Sequence, residues 1–217
     1  MGKKEFVKRY LLLIIGLFFV GVGIAFTKHG ELGVSPISSV ANVLSFKYRF
    51  FEIGTWLIVW NCVLIIGQIL ILGKDFKLYQ LLQIPFSFLF GYFTNFGMWL
   101  VSFIPIGNYF SKLLMLMIGI LIVAFGITLS VIADVVMNSG EAIVKAISDK
   151  TGFEFGNVKV AFDIGCVTLS VILSLIFFDM KILYTREGTI ISAVLTGFVV
   201  KFFMRLMKGR LTKILTN

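Results

Sequence analysis

The sequence predicts an all-α polytopic membrane protein whose six transmembrane helices form two inverted three-helix repeats. Three observations support this fold class. The 217 residues are 59% hydrophobic and 14% charged, whereas soluble domains carry about 25% charged residues. The apolar residues form six long runs with short connections, and the second half of the chain repeats the first. We expect one membrane domain, with repeats over about residues 10–105 and 112–207.

The repeat is visible in matched blocks of sequence. Gly23-Ile24-Ala25-Phe26-Thr27 matches Gly126-Ile127-Thr128-Leu129-Ser130 at an offset of 103 residues. Glu52-Ile53-Gly54 matches Glu154-Phe155-Gly156 at 102, and the offset drifts to about 105 in the last block. Because each copy has three long apolar segments, the second copy is turned upside down in the membrane. This arrangement is typical of inverted-repeat transporters and channels.

Each apolar run is long enough to cross a hydrocarbon core, which needs about 20 helical residues. The expected spans are residues 10–27, 53–73, 78–103, 113–133, 155–178 and 188–206. The first follows a basic start without a small-x-small cleavage site, so we expect it to be retained. Lys159, Asp163 and Lys201 interrupt the last two spans, which we therefore expect to face protein on at least one side.

Basic residues are distributed unevenly between the two sides of the predicted bundle. With the N-terminus inside, the cytoplasmic segments hold 14 of the 20 Lys and Arg residues and the outer segments hold 6. Since cytoplasmic loops are enriched in Lys and Arg, we expect both termini in the cytoplasm. This topology accounts for the net charge of +9 without a nucleic-acid partner. The basic C-terminal tail is expected to attract anionic lipid head groups.

Two short amphipathic segments, residues 34–46 and 137–148, follow the first and fourth spans. Ser35-Pro36 and Asn138-Ser139 open them with residues that favour helix N-termini. Each segment is about three turns or roughly 18 Å long, which is too short to cross a membrane. The segments are expected either to lie flat at the interface or to enter as re-entrant half-helices. Re-entrant half-helices would aim their N-termini at a common central site.

Polar residues of these elements form the candidate substrate-binding or ion-binding site. Asp163 lies about two turns into the fifth span, its repeat partner is Asn61, and Lys159 can pair with it at i,i+4. A charge within a span costs about 2.5–3.5 kcal/mol, which favours a functional role for Asp163 near the repeat axis. A neutral pair that only fixes helix packing is the alternative. The other candidates are Glu141, Lys145, Ser35, Ser38 and Asn42.

The candidate site is neutral in the first copy and ionic in the second. Ser38 and Asn42 stand where the second copy has Glu141 and Lys145. A two-fold scaffold with charge on one side suits an asymmetric polar solute. Neutral sequence divergence of the two copies after duplication would give the same pattern. Glu141 also lies in the first turn of its segment, where the helix dipole favours a carboxylate without any further role.

Small and amide residues within the spans predict helix packing. Gly23 and Thr27, and likewise Gly126 and Ser130, are four residues apart and indicate close packing of the first and fourth spans. We expect Gln68, Gln83 and Asn95 to form interhelical hydrogen bonds.

The sequence indicates no enzyme, cofactor or metal site. It has one histidine, His29, and its two cysteines, Cys62 and Cys166, lie within apolar runs. These residues have neither metal-ligand spacing nor the density of a disulfide framework. The chain contains no phosphate-binding loop and no dinucleotide fingerprint.

Four blocks carry a resemblance to a known family: Gly33-Val34-Ser35-Pro36, Gly54-Thr55-Trp56, Lys150-Thr151-Gly152-Phe153-Glu154-Phe155-Gly156 with Asp163, and Gly188-Thr189-Ile190-Ile191-Ser192. The chain resembles the YczE/YyaS/YitT family of bacterial integral membrane proteins over nearly its whole length. It is close to the YczE branch, which lacks a soluble C-terminal domain. The resemblance implies a bacterial cytoplasmic membrane protein and supplies no functional residues. Ser38 departs from the family pattern, since related chains often carry Asp there.

These observations favour a secondary transporter or channel for a small polar or charged solute or ion, with its site near the midplane between the repeats. Two alternatives stay open. The chain is either a non-transporting accessory protein that binds a partner protein or lipid, or a lipid translocator.

Overall fold

The computed structural model describes residues 2–153, 155–181 and 186–216. These residues form eight α-helices, two short 3-10 helices and no strand. The helices are α1 (Lys3–His29), α2 (Pro36–Lys47), α3 (Ile53–Leu72), α4 (Gln83–Val101), α5 (Tyr109–Ala133), α6 (Ser139–Thr151), α7 (Phe155–Phe177) and α8 (Glu187–Thr216). The 3-10 helices, Gly73–Asp75 and Leu78–Leu82, lie between α3 and α4. Glu154, from the third block of the repeat, lies outside the described residues.

Six helices in the described part of the chain are long and apolar enough to cross a membrane. They are α1, α3, α4 with the 3-10 helix before it, α5, α7 and α8. The six expected spans are therefore present, but α1, α5 and α8 extend beyond them, and α5 begins at Tyr109 rather than at residue 113. α1 begins at Lys3 and α8 continues to Thr216. Lys, Arg, Leu and Met are good helix formers, so the helix continues where the hydropathy signal ends.

α1 and α5 cross closely at the centre of the bundle. A β-carbon added at Gly23 would lie 2.9 Å from the carbonyl oxygen of Gly119, and one at Gly126 would lie 2.6 Å from that of Gly16. Backbones approach this closely only where side chains are absent. The prediction of tight packing for the first and fourth spans is confirmed, and the two helices pack on each other.

Contacts between helix ends show which ends lie on the same face of the bundle. On one face, Lys8 Nζ donates a hydrogen bond to the carbonyl oxygen of Ile214 at 2.9 Å, which joins the start of α1 to the end of α8. We call this the amino-terminal face. On the opposite face, Lys112 at the start of α5 pairs with Glu31 after α1 at 2.5 Å. The Arg186 guanidinium also donates to the Glu31 carbonyl oxygen there, at 3.3 Å.

The remaining helices pack around this centre. α4 packs on α1, and α8 packs on α5, while α2 and α6 each contact both α3 and α7. Amide side chains join neighbouring helices, as predicted: Gln68 and Gln83 exchange hydrogen bonds of 3.0 and 2.9 Å between α3 and α4. The backbone N–H of Gly54 donates to Asn95 Oδ1 at 2.8 Å, which joins the same two helices.

Candidate functional site

The two short helices begin against each other in the interior of the bundle. The Ile37 side chain, in the first turn of α2, covers Gly140, in the first turn of α6. A β-carbon added at Gly140 would lie 2.7 Å from Ile37 Cδ1. The two residues are also matched positions of the repeat predicted from the sequence, 103 residues apart. The starts of both helices are buried, with Ser39 and Ser139 at most 1% exposed.

The same two helices end at opposite faces. Beside the last turn of α2, Lys28 of α1 donates to Ser45 Oγ at 3.1 Å, close to where α1 ends on the opposite face. In the last turn of α6, Lys150 Nζ donates to Asp75 Oδ2 at 2.8 Å. This pair borders a cleft that also contains Asp134, the residue after α5 on the amino-terminal face.

Asp163, Lys159 and Glu141 form a charged cluster beside the meeting point of the short helices. Lys159 Nζ donates to Asp163 Oδ1 at 2.7 Å across one turn of α7, the pairing expected from the i,i+4 spacing. Asp163 is 7% exposed and Glu141 is 8% exposed. The charges of Lys159 and Asp163 both act on the Glu141 carboxyl. Lys159 therefore pairs directly with Asp163, and its charge also acts on the Glu141 carboxyl.

Burial raises the pKa of Glu141 above the usual range of a glutamate. The positive charge of Lys159 opposes this rise, as do the N–H of Glu141 itself and a hydrogen bond with Asn138, while the charge of Asp163 adds to it. A small apolar cavity of about 10 Å³ lies between α1 and α5, and Glu141 and Ser130 are among the residues that line it. Glu141 therefore lies between a charged pair and a small apolar cavity.

Asn61, Ser35, Ser38 and Asn42 supply neutral polar groups in the first half of the chain. Asn61 is 2% exposed, and its Nδ2 has no hydrogen-bond partner in the described part of the chain. Ser35 Oγ and Ser38 Oγ lie 2.9 Å apart at the start of α2. Ser38 and Asn42 are each 3% exposed. A buried amide without a partner costs about 1–3 kcal/mol, so Asn61 has unused capacity to bind a polar ligand.

Lys145 lies away from these residues, on the exposed side of α6. Its ammonium group donates to Asp149 Oδ1 at 3.0 Å. Both residues line a cleft of about 420 Å³ together with Asp75, Asp134 and Lys150. Of the candidate residues, Lys145 is therefore the one that borders the surface cleft.

A polar network around the start of α6 was not among the sequence candidates. Gln68 Nε2 donates to the Ser139 carbonyl oxygen at 3.2 Å, and Ser87 Oγ lies 3.4 Å from Ser139 Oγ. With Gln83, these side chains are at most 2% exposed. They fix the position at which α6 begins. The available signal was the presence of two glutamines within apolar runs, since each needs a polar partner.

The connection before α2 is fixed against the start of α8. The backbone N–H of Val34 donates to Thr189 Oγ1 at 3.3 Å, and that of Gly188 donates to the Leu32 carbonyl oxygen at 2.7 Å. Gly33 between them has a φ of 142°, and a β-carbon there would overlap the backbone of Thr189. Only glycine fits this backbone conformation and this close contact.

Comparison with known proteins assigns the chain to a family. The family of unknown function DUF6198 matches residues 7–205, which is nearly the whole chain. The chain belongs to this family. This DUF6198 chain is also similar to the uncharacterized membrane protein YczE of Bacillus subtilis (strain 168). The two are 24% identical over 202 residues, which cover 92% of this chain and 87% of YczE.

The resemblance to the YczE branch is therefore confirmed. No solved structure matches the chain. Together with the six long apolar helices, the similarity identifies this DUF6198 chain as a multi-pass membrane protein.

Proposed function

We propose that the chain is a secondary transporter or channel that moves a small polar or charged solute or ion across the bacterial cytoplasmic membrane. The observation that carries the proposal is the contact of Ile37 with Gly140 beside the charged cluster of Glu141, Lys159 and Asp163. Helix N-termini carry partial positive charge. Two of them at one buried point, with charged and amide side chains around them, make a site for a polar solute.

The proposed scaffold is a pair of inverted repeats. α1 runs from the amino-terminal face to the opposite face, and its counterpart α5 runs back. The packing of α1 on α4 corresponds to that of α5 on α8, and the packing of α2 on α7 corresponds to that of α6 on α3. A two-fold axis in the membrane plane exchanges the members of each pair. The contact of Ile37 with Gly140, its own repeat partner, fits an axis passing between them.

Within this scaffold we assign α2 and α6 as re-entrant half-helices. Two observations support this over helices lying flat at the interface. Their first turns are buried against each other, and their last turns lie at opposite faces of the bundle. A helix lying flat would expose one side along its whole length to the interface.

The candidate residues take different roles in this proposal. Asp163 is the central charged group, Lys159 and Glu141 set its charge balance, and Asn61 offers its unpaired amide from α3. Ser35, Ser38 and Asn42 contribute from α2, and Lys145 lies at the cleft that leads inward. No catalytic step and no cofactor is part of the proposal. Both termini are assigned to the cytoplasm, where the basic end of α8 meets anionic lipid heads.

The first test is a thermal-shift screen of the purified protein in detergent against small polar solutes and lipids. Wild type, Asp163→Asn and the control Asp179→Asn are compared. Asp179 is exposed and has a φ of 50°, a conformation that asparagine tolerates. A solute at 100 times its dissociation constant stabilises its target by about 2.7 kcal/mol.

We expect a solute that stabilises wild type and the control but not Asp163→Asn, and whose uptake into proteoliposomes follows the same order. Binding and uptake that survive Asp163→Asn would show that the central residue is wrongly assigned. Stabilisation by lipids or a co-purifying protein alone would favour the accessory or lipid-translocating alternatives.

A further inference from the structure

Two connections at matched positions of the repeat differ in their packing. Residues 31–34 lie within the connection from α1 to α2, and residues 134–137 lie within the connection from α5 to α6. The first connection is bonded to the start of α8 through Leu32 and Val34, and Arg186 adds a bond to the carbonyl oxygen of Glu31 at 3.3 Å. This contact, between residues 31–34 and 186–189, is called the closed gate below. It lies on the opposite face of the bundle.

In the described part of the chain, no backbone hydrogen bond joins the second connection to the start of α4. Gln80 and Gln83 form one wall of the cleft of about 420 Å³, and residues 134–137 form another. Gln83 corresponds to Gly188 at the 105-residue offset of the last block. The Gly188 N–H crosses to the connection, whereas the Gln83 N–H bonds to the Gln80 carbonyl oxygen within its own turn. Matched segments are therefore joined on one face and separated on the other.

The cleft reaches close to the candidate site. Met137 lines both the cleft and the cavity of about 10 Å³ beside Glu141. Gln83, at the inner end of the cleft, is bonded to Gln68, which in turn holds the start of α6 through Ser139. The Met137 side chain, which adapts easily in shape, therefore borders both the cleft and the small cavity that Glu141 lines.

We infer that this structure is the state of an alternating-access cycle that is open to the amino-terminal face. The cleft is the entrance for the solute, and the closed gate blocks the opposite face. In the other state, residues 134–137 close on the start of α4 while residues 31–34 part from α8. Each repeat then takes the conformation that the other has here, which is how inverted repeats alternate. The inference rests on the proposed transport function and adds its route and its gate.

Cysteine cross-linking tests the inference without knowledge of the solute. In a background of Cys62→Ser and Cys166→Ala, the pair Gln80→Cys and Val135→Cys spans the cleft. A third substitution, Ser192→Cys, reports on the closed gate. Ser192 is 1% exposed on α8, one turn beyond Thr189, and its Oγ has no partner in the described residues.

The expected result is that cross-linking the cleft pair exposes the reporter. Before cross-linking, a membrane-impermeant maleimide reacts with Ser192→Cys slowly. If the other state is populated at about 10%, locking it raises the labelling rate roughly tenfold. The control is Tyr109→Cys, which is 59% exposed at the start of α5 and should label equally in both conditions.

Two results would overturn the inference. One is a cleft pair that cross-links without changing the labelling of Ser192→Cys. The other is a cleft pair that never cross-links in protein that transports a solute, which would indicate a static pore. If the background does not fold, the same substitutions are made in the wild-type chain, and the labelling of Cys62 and Cys166 is subtracted. If cross-linking changes the labelling of Ser192→Cys but no solute stabilises the protein in the thermal-shift screen, the assignment of the gate stands. The assignment of Asp163 as the solute site is then withdrawn.

Discussion

Buried charges determine the chemistry of single residues in this protein. Lys159 pairs with Asp163, and its charge also acts on the carboxyl group of Glu141. Removing one partner of a buried ion pair leaves an uncompensated charge, which costs more than removing the pair together. The contributions of these residues to stability are therefore strongly coupled.

Lys159→Met is expected to destabilise the protein by up to about 3 kcal/mol, because it leaves the buried Asp163 carboxyl without its ammonium partner. Adding Asp163→Asn should recover most of the loss. The measurement is the midpoint of thermal unfolding in detergent. Lys145→Met is the matched control, because it breaks an exposed i,i+4 pair with Asp149 that is worth about 0–1 kcal/mol. Equal losses for the two lysines would contradict a buried role for Lys159.

Glu141→Gln is expected to change how stability depends on pH. Because burial raises the folded-state pKa of Glu141 above its unfolded value, wild type gains stability from this group at low pH. That stability is lost as pH rises from the unfolded pKa of about 4.3 through the raised folded value. The glutamine amide does not titrate, so the variant lacks this loss. The measurement is the thermal midpoint of both proteins across roughly pH 4 to 9, the range in which a raised carboxyl pKa falls.

The charged groups that face Glu141 also affect its pKa. They are Lys159 and Asp163 from α7, and Asn138 is a neutral neighbour. α3, which also packs on α6, has no charged residue within Ile53–Leu72. A parallel pH profile for wild type and Glu141→Gln would show that the pKa of this carboxyl group is not raised on folding.

At the scale of helices, the α1–α5 crossing depends on glycine. Gly119→Ala is expected to destabilise the protein by about 1–3 kcal/mol, because overpacking forces packed elements apart. Its β-carbon would lie 2.8 Å from the backbone nitrogen of Thr27. Gly209→Ala in α8 is the control, since no described atom lies within 4 Å of the added β-carbon. There alanine should stabilise the helix by about 0.5–1 kcal/mol. If Gly119→Ala and Gly209→Ala move the thermal midpoint in the same direction, the crossing does not depend on glycine at position 119.

Sequence reasoning succeeded for features that depend on local patterns. Hydropathy located six spans, and the i,i+4 spacing located the pair of Lys159 with Asp163. Small residues four apart located the α1–α5 crossing. Each of these signals lies within one helix or follows from composition along it.

The remaining features depend on which distant segments meet. Glu141 approaches Lys159 only because α6 packs on α7, and Gln68 reaches the Ser139 carbonyl only because α3 packs on α6. The cleft beside Lys145 is a space between elements, so no residue pattern marks it. The proposed site roles stay predictions, because side-chain types alone do not specify a solute.

At the scale of the whole molecule, the two central helices hold each other at both faces. Arg9, near the start of α1, donates to the last carbonyl oxygen of α5 at Ala133, at 3.0 Å. Lys112, its partner in the proposed repeat, lies near the start of α5 and pairs with Glu31 just after α1. A cation at a helix C-terminus complements the negative end of its dipole. The centre of the bundle is therefore anchored at both faces.

The contact of Ile37 with Gly140 has a consequence for the origin of the proposed repeats. In a symmetric dimer of one ancestral copy, identical side chains would meet on the axis: two isoleucines would collide, and two glycines would leave a gap. A large residue facing a hydrogen atom requires two different sequences. If the proposed repeats hold, an asymmetric centre of this kind is available to one fused chain and not to a dimer of identical copies, because one half fills the centre and the other makes room for it.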